Sequence, residues 1–203
     1  MKIIEKKDEL KKSFLLRHKI FAEELGWVER NWDCLEIDDY DDESVPFGVF
    51  DISENLCSYM RVISGGKTFM LEKEFGFLIN SDHSLRKSPD TCELSRLCVD
   101  PAARNMTIKG NFGIHSTTVL LLKGIYRWCM ENGVRFLYAV TDEKVGRLYR
   151  AKGFPFIPVG TPVVMPDGVK AVALLMDWEE FERINIQKKP EFYKWFREFG
   201  SAN

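Results

Sequence analysis

A chain of 203 residues has room for one domain or at most two small ones, and its 45% apolar and 13% aromatic residues suffice for a core. With 29 Lys and Arg against 31 Asp and Glu, it lacks the basic excess of a nucleic-acid binder. No apolar run reaches the roughly 18 residues of a membrane span, and the N-terminal MKIIEKKDELKK has no secretory apolar region. The five cysteines lack metal-ligand spacing and read as reduced thiols filling apolar space. The expectation is a cytoplasmic protein with neither nucleic acid nor membrane as partner.

Periodicity predicts a helix over 8–25, with Leu10, Phe14, Phe21 and Leu25 on one stripe and Gly26 ending it. Arg17 falls on that stripe. Its head either snorkels to water or meets an acidic cluster, because burying it unpaired is expensive. The stretch EIDDYDDE at 36–43 then places six carboxylates in eight residues, a concentration that demands cations in reply. Strands are predicted over 46–52 and 56–63, joined by a turn at Ser53, Glu54 and Asn55. Arg61 interrupts the second strand on the face of Cys57, Tyr59 and Ile63, and Gly65-Gly66 ends it. TCELSRLCV at 91–99 reads as another strand. A helix over 112–132 carries Val119, Leu122, Tyr126 and Cys129 on one stripe, with Gly133 as its stop. A central strand over 134–141 leads into a helix over 142–152 closed by Gly153. Strands over 154–159 and 169–177 and a helical tail from Trp178, interrupted at Pro190, complete the order. No repeat or linker intervenes. The expected architecture is α/β: a single domain over 1–203, an α/β/α sandwich with a mixed, mostly antiparallel sheet.

Several charged residues break these apolar patterns. Arg17, Arg61 and Arg96 balance Asp38, Asp41 and Glu93. Such a set either pins the acidic loop onto the sheet or lines a polar pocket for a zwitterionic ligand. Glu93 and Arg96 stand three apart, so a regular strand would point them to opposite faces. If both serve one pocket the strand must be irregular there, and bulges are frequent beside active sites. The acidic loop lacks the glycine and ligand spacing of an EF-hand. His18, His83 and His115 are scattered, and His115 reads as structural. No metal is expected, and no nucleophile elbow, P-loop or dinucleotide fingerprint is present.

The quoted pieces together resemble a known family. RHKIFAEELGW fits R-x-x-x-F-x-x-x-L-x-W, LEIDDYDD fits E-x-D-x-Y-D, and Arg61, MLEKEF and ELSR follow in order over the first half of the chain. The set is similar to the acyl-homoserine-lactone synthases of bacterial quorum sensing, the LuxI-type autoinducer synthases. Departures are Tyr59-Met60 where a Gly-Cys pair is usual, SGGKT in place of a Pro-Thr-rich segment, and Cys92 where tryptophan precedes ELSR. The resemblance implies a fold related to the N-acetyltransferases (GNAT). It also implies an enzyme that joins S-adenosylmethionine, a substrate rather than a cofactor, to an acyl thioester of acyl carrier protein or coenzyme A.

In that reading the catalytic set is Glu93, Arg96, Asp38, Asp41 and Arg61. Glu93 takes a proton from the α-ammonium, since an ammonium is no nucleophile. Asp38 and Asp41 hold the arginines and favour a cationic sulfonium, and a guanidinium of Arg96, Arg61 or Arg17 holds the carboxylate. Arg17, Phe21, Trp27, Phe75 and Thr141 are assigned to substrate binding. The three aromatics exclude water, and Thr141 lies near the acyl chain. Lys144, Arg147, Arg150 and Lys152 form a basic dock for an acidic carrier protein. Two alternatives stand beside this one. The first is a general N-acyltransferase using acyl-CoA, although the region at 103–113 lacks the [QR]-x-x-G-x-[GA] spacing of a pyrophosphate turn. The second is a non-catalytic ligand-binding relative.

Overall fold

The structure, a computed structural model, describes residues 1–110 and 113–198. They belong to two compact units: Met1–Val62 with Arg96–Tyr126, and Ile63–Ser95 with the chain from Arg127 onward.

In the first unit β1 (Lys2–Ile3) pairs antiparallel with β2 (Ser44–Phe50), and β3 (Leu56–Ser64) lies beyond β2. The turn between β2 and β3 is held by Asp51, whose Oδ1 accepts from the Ser53 and Asn55 amides at 2.8 Å each, while Glu54 takes the left-handed conformation at φ +61°. Both strands match expectation within two residues.

Helix α1 (Lys7–Arg17) carries Asp8 and Glu9 in its first turn, where they complement the helix dipole. From His18 to Glu24 the coil widens into a π-helix, with Leu25 N–H bonding the Ile20 carbonyl five residues back. This departs from the uniform helix expected over 8–25. The wider turn shifts the phase of the buried face: Leu16, Ile20, Phe21 and Ala22 go inside and Leu25 is exposed. Leu16, Ile20 and Phe21 pack with Ile4, Leu56, Tyr59 and Cys98 to form the core here. Gly26, at φ +66°, stops the helix as expected.

The region between 107 and 116 corrects a second expectation. Phe112 lies outside the described residues, and helix α3 spans only Thr117–Glu131. Ahead of it β5 (Thr107–Gly110) and β6 (Gly113–Ser116) form an antiparallel pair. β-Branched Thr107, Ile108 and Ile114, with Gly110 paired to Gly113 at the end of the ladder, suit paired strands better than a helix. His115 therefore lies in β6, not at a helix start.

The second unit is built on the Thr91–Ser95 part of β4 (Thr91–Val99), with β7 (Phe136–Asp142) and β10 (Lys170–Asp177). β4 runs parallel to β7, with Glu93 opposite Tyr138 in the register, while β7 and β10 are antiparallel. Short strands β8 (Ile157–Pro158) and β9 (Val163–Val164) also pair antiparallel with β10. The pairing is mixed and mostly antiparallel, as expected. The strand expected over 154–159 shrinks to Ile157–Pro158, because Pro155 cannot donate to a ladder and Phe154 is buried in the core. Helix α2 (Met70–Lys73) was not anticipated.

Helix α4 (Glu143–Lys152) is capped by Asp142, whose Oδ1 accepts from the Lys144 amide at 2.8 Å. It ends on Gly153 at φ +108°, where a Cβ would stand 2.5 Å from Asn185 Oδ1, so both conformation and space require glycine. Helices α5 (Trp178–Lys188) and α6 (Pro190–Arg197) meet at Pro190, the first residue of α6. Phe181 stacks on Phe154 at 5.3 Å and meets Phe196 at 4.8 Å, with Trp178 edge-on to Phe181. All four of these side chains are fully buried.

Four cysteines are buried, which fits the filler reading. Cys34 is the exception, exposed and in the left-handed conformation at φ +53°.

Candidate active site

The acidic stretch divides by position. Glu36, Asp38 and Asp41 turn inward, while Asp39, Asp42 and Glu43 face solvent. Three guanidinium groups of the first unit answer the inward three. Arg17 Nε donates to Glu36, and its Nη1 and Nη2 reach the two Asp41 oxygens at 2.5 and 3.0 Å. Arg61 forks onto Asp38, with Nη2–Oδ2 at 2.8 Å, and its Nη1 also meets Asp41 Oδ1 at 2.8 Å. Arg96 Nε reaches Glu36 Oε1 at 2.9 Å, and its Nη2 reaches Asp38 Oδ2 at 2.6 Å. Arg17 and Arg61 are fully buried, and Arg96 retains 16% side-chain exposure. Bidentate guanidinium–carboxylate pairs of this kind are charge-assisted and geometrically specific.

The cluster is stitched locally as well. Asp41 Oδ2 accepts from the Asp38 amide at 2.8 Å, and Asp38 Oδ1 accepts from the Tyr40 amide at 3.0 Å. The rings of Phe14 and Tyr59 flank the Arg17 guanidinium, and Tyr40 flanks Arg61. Burial pushes the Asp38 carboxyl up, but the bond to Arg61 and the charges of Arg61, Arg96 and Arg17 hold it below its ordinary value. Burial likewise opposes the Arg17 and Arg61 charges, and their carboxylate partners more than compensate, raising both. The Tyr59 hydroxyl, buried among them, is pushed up to about 12.

The irregularity expected near Arg96 is present. Arg96 adopts φ +55° within β4, and no other β4 residue has a positive φ. A non-glycine residue held there is strained, and here the strained residue carries the guanidinium that meets Glu36 and Asp38. Glu36 joins Asp38 and Asp41 as a carboxylate of the lattice, a partner that the sequence-based charge balance did not include. Glu36 stands in the quoted E-x-D-x-Y-D piece, so the signal was available.

Phe21, buried, stacks on half-exposed Trp27 at 6.1 Å and lies 5.6 Å from the Arg96 guanidinium. These two aromatics therefore adjoin the ion lattice.

In the second unit Glu93 is 1% exposed. Its two carboxylate oxygens accept from the Met70 and Leu71 amides at 2.6 and 2.9 Å, the N-terminal turn of α2. These amides are site members that sequence reasoning did not name, because backbone donors leave no trace in residue types. Phe75 follows α2, half-buried and 6.4 Å from Phe77. Thr141 is half-buried on β7 opposite Val172. Lys144, Arg147 and Arg150 are exposed on α4, Arg147 also meeting Glu143 at 3.3 Å, and Lys152 is half-buried over the Tyr149 ring.

The mixed sheet and its helices are an α/β fold of the N-acetyltransferase kind. A putative N-acetyltransferase from Lactobacillus plantarum shares the fold at a TM-score of 0.57, 17% identical over 87% of this chain and 97% of that one. The chain belongs to the autoinducer synthase family, whose profile matches residues 2–186; these are acyl-homoserine-lactone synthases, acyltransferases that make a quorum-sensing signal. The acyl-homoserine-lactone synthase of Aeromonas hydrophila is 30% identical over 147 residues, 72% of this chain and 69% of that protein. The enzyme of Rhizobium radiobacter is 28% identical over 177 residues, 86% of this chain and 82% of that protein. TofI, solved in a ternary complex with an inhibitor and MTA, superposes at a TM-score of 0.71, 23% identical over 87% of this chain and 91% of that one. BjaI, a CoA-dependent acyl-homoserine lactone synthase solved with SAM and isopentyl-CoA, gives 0.71 at 22% identity over 89% and 82%.

Proposed function

We propose that residues 1–203 act as one synthase domain. It joins S-adenosylmethionine to a fatty acyl thioester and closes the product to an N-acyl-homoserine lactone. The α-amine attacks the thioester carbonyl carbon, forming the amide and expelling the thiol. The methionyl carboxylate then attacks its own γ-carbon, breaking the Cγ–S bond, closing the lactone and releasing methylthioadenosine as a neutral thioether. No electron acceptor is needed, and no cofactor is assigned. The cytoplasm is its proposed location, and, separately, no helix among the described residues is long and apolar enough to cross a membrane.

The observation that carries the assignment of residues is the buried lattice of Arg17, Glu36, Asp38, Asp41, Arg61 and Arg96, built from the positions that resemble the family's signature. Burial separates the roles. Arg17 and Arg61, sealed from water, frame the acidic loop with Asp38 and Asp41. Arg96, the partly exposed member beside Phe21, is the guanidinium assigned to the substrate carboxylate. Glu93, oriented by two amides, is the assigned base, acting directly or through a water, a contribution of roughly 10²–10⁴-fold. Phe21, Trp27 and Phe75 exclude water, Thr141 borders the acyl chain, and the cations of α4 receive an acidic carrier.

The test incubates purified protein with S-adenosylmethionine and a panel of acyl-carrier and acyl-CoA thioesters, and detects methylthioadenosine by mass spectrometry. Release with at least one donor is expected. Absence of release with every donor would refute the synthase reading, and the better donor class decides between carrier protein and coenzyme A.

A further inference from the structure

The π-helical segment has a second effect, outside the ion lattice. Five residues of an ordinary α-helix sweep roughly 500°, which leaves positions i and i+5 about 140° apart. The i to i+5 bonding of a π-helix brings them together on one side. His18 and Glu23 are such a pair, with His18 Nδ1 at 3.4 Å from Glu23 Oε1. Across from them the turn at 31–35 presents Cys34. Asn31 brackets that turn, accepting from the Leu35 amide at 3.1 Å and donating to the Leu35 carbonyl at 2.6 Å. One ligand atom from each of His18, Glu23 and Cys34 lies within 4.8 Å of the other two.

We propose that His18, Glu23 and Cys34 form a binding site for a divalent, borderline-soft transition metal of the zinc class. Imidazole nitrogen, carboxylate oxygen and thiolate sulfur are the donors that zinc accepts, and three protein ligands leave one tetrahedral position for water. Bonds of about 2.0–2.3 Å place tetrahedral ligands roughly 3.3–3.8 Å apart, so closure requires shifts of about 1 Å. The two exposed side chains, Glu23 and Cys34, can supply them by rotation. His18 is buried, with Nδ1 toward Glu23 and Nε2 3.4 Å from the Asn31 amide nitrogen; ligation through Nδ1 needs the tautomer that carries its proton on Nε2, so metal binding gives up that long contact. Metal binding releases the thiol proton and requires neutral imidazole. The site joins the π-helix to the turn that leads directly into Glu36, so an ion here would staple the segment that carries the lattice's first carboxylate. Neither step depends on the synthase chemistry.

The experiment titrates chelator-treated full-length protein with Zn²⁺ under reducing conditions by calorimetry, and with Co²⁺ by absorption. One equivalent should bind, with a thiolate-to-cobalt charge-transfer band. Cys34→Ser should abolish the band, and Cys34→Ser and Glu23→Gln should each weaken Zn²⁺ at least as much as the roughly 10–100-fold that loss of a supporting partner costs. Both positions are exposed, so neither change threatens folding, and circular dichroism checks it. The other four cysteines are buried and should contribute no band. Absence of stoichiometric binding, or unchanged affinity in either variant, would overturn the site. Loss of binding in Cys34→Ser alone, with Glu23→Gln unaffected, would reduce it to a simple exposed thiol and equally overturn it.

Discussion

The two units bury charge in different ways. In the first, three guanidinium groups and three carboxylates neutralise one another through side chains drawn from α1, the acidic loop, β3 and β4. In the second, the Glu93 carboxylate is met by backbone amides of α2. A side-chain lattice depends on every partner's identity, so one truncation strands an opposite charge. An amide cradle depends on the local fold, and the carboxylate can change chemistry while its donors stay in place.

Truncation of the lattice should sharpen this contrast most. Arg61→Ala leaves Asp38 short of its forked partner in a buried setting, and a loss of roughly 3–5 kcal/mol in urea unfolding is expected. A loss below about 1 kcal/mol would show that water enters and screens the cluster. Glu93→Gln should cost less stability, about 1–3 kcal/mol from one amide donor facing another. It should nevertheless lower turnover by roughly 10²–10⁴-fold. Full activity in that folded variant would remove Glu93 from the role of base. The smallest effect concerns pH. Asp38 is held below its ordinary value by Arg61 and its neighbours. Its contribution is therefore present above the unfolded value of about 3.9 and fades as pH falls through the lower folded value. Unfolding followed between neutral pH and strong acid should be less steep in Asp38→Asn than in the parent over that acid window. An identical slope would assign the acid sensitivity to other carboxylates.

Much of this was legible beforehand because it rests on residue types at fixed spacing. Arg17 inside an apolar stripe, Arg61 inside a strand and six carboxylates in eight residues pointed to a buried ion cluster. The three-residue separation of Glu93 and Arg96 announced the irregular backbone at Arg96. What the residues did not announce has a physical reason in each case. Helical periodicity assumes about 100° per residue, so the π-helix, the exposure of Leu25 and the meeting of His18 with Glu23 escaped it. Of the strand pair before α3, only β6 falls inside the helix expected over 112–132, where the apolar period that follows ran on into its residues; β5 was not anticipated. Glu36 was left out of the set because counting charges does not say which carboxylate reaches which arginine.

Helix α6 carries a practical lesson about where this protein can be cut. The span shared with the family stops at residue 186, yet Phe196, from beyond it, sits fully buried against Phe181 and Phe154. A fragment trimmed to the shared span would open a greasy socket on its own surface and stick to its neighbours. The last turns of the described chain are a plug, and sequence similarity alone would have discarded it.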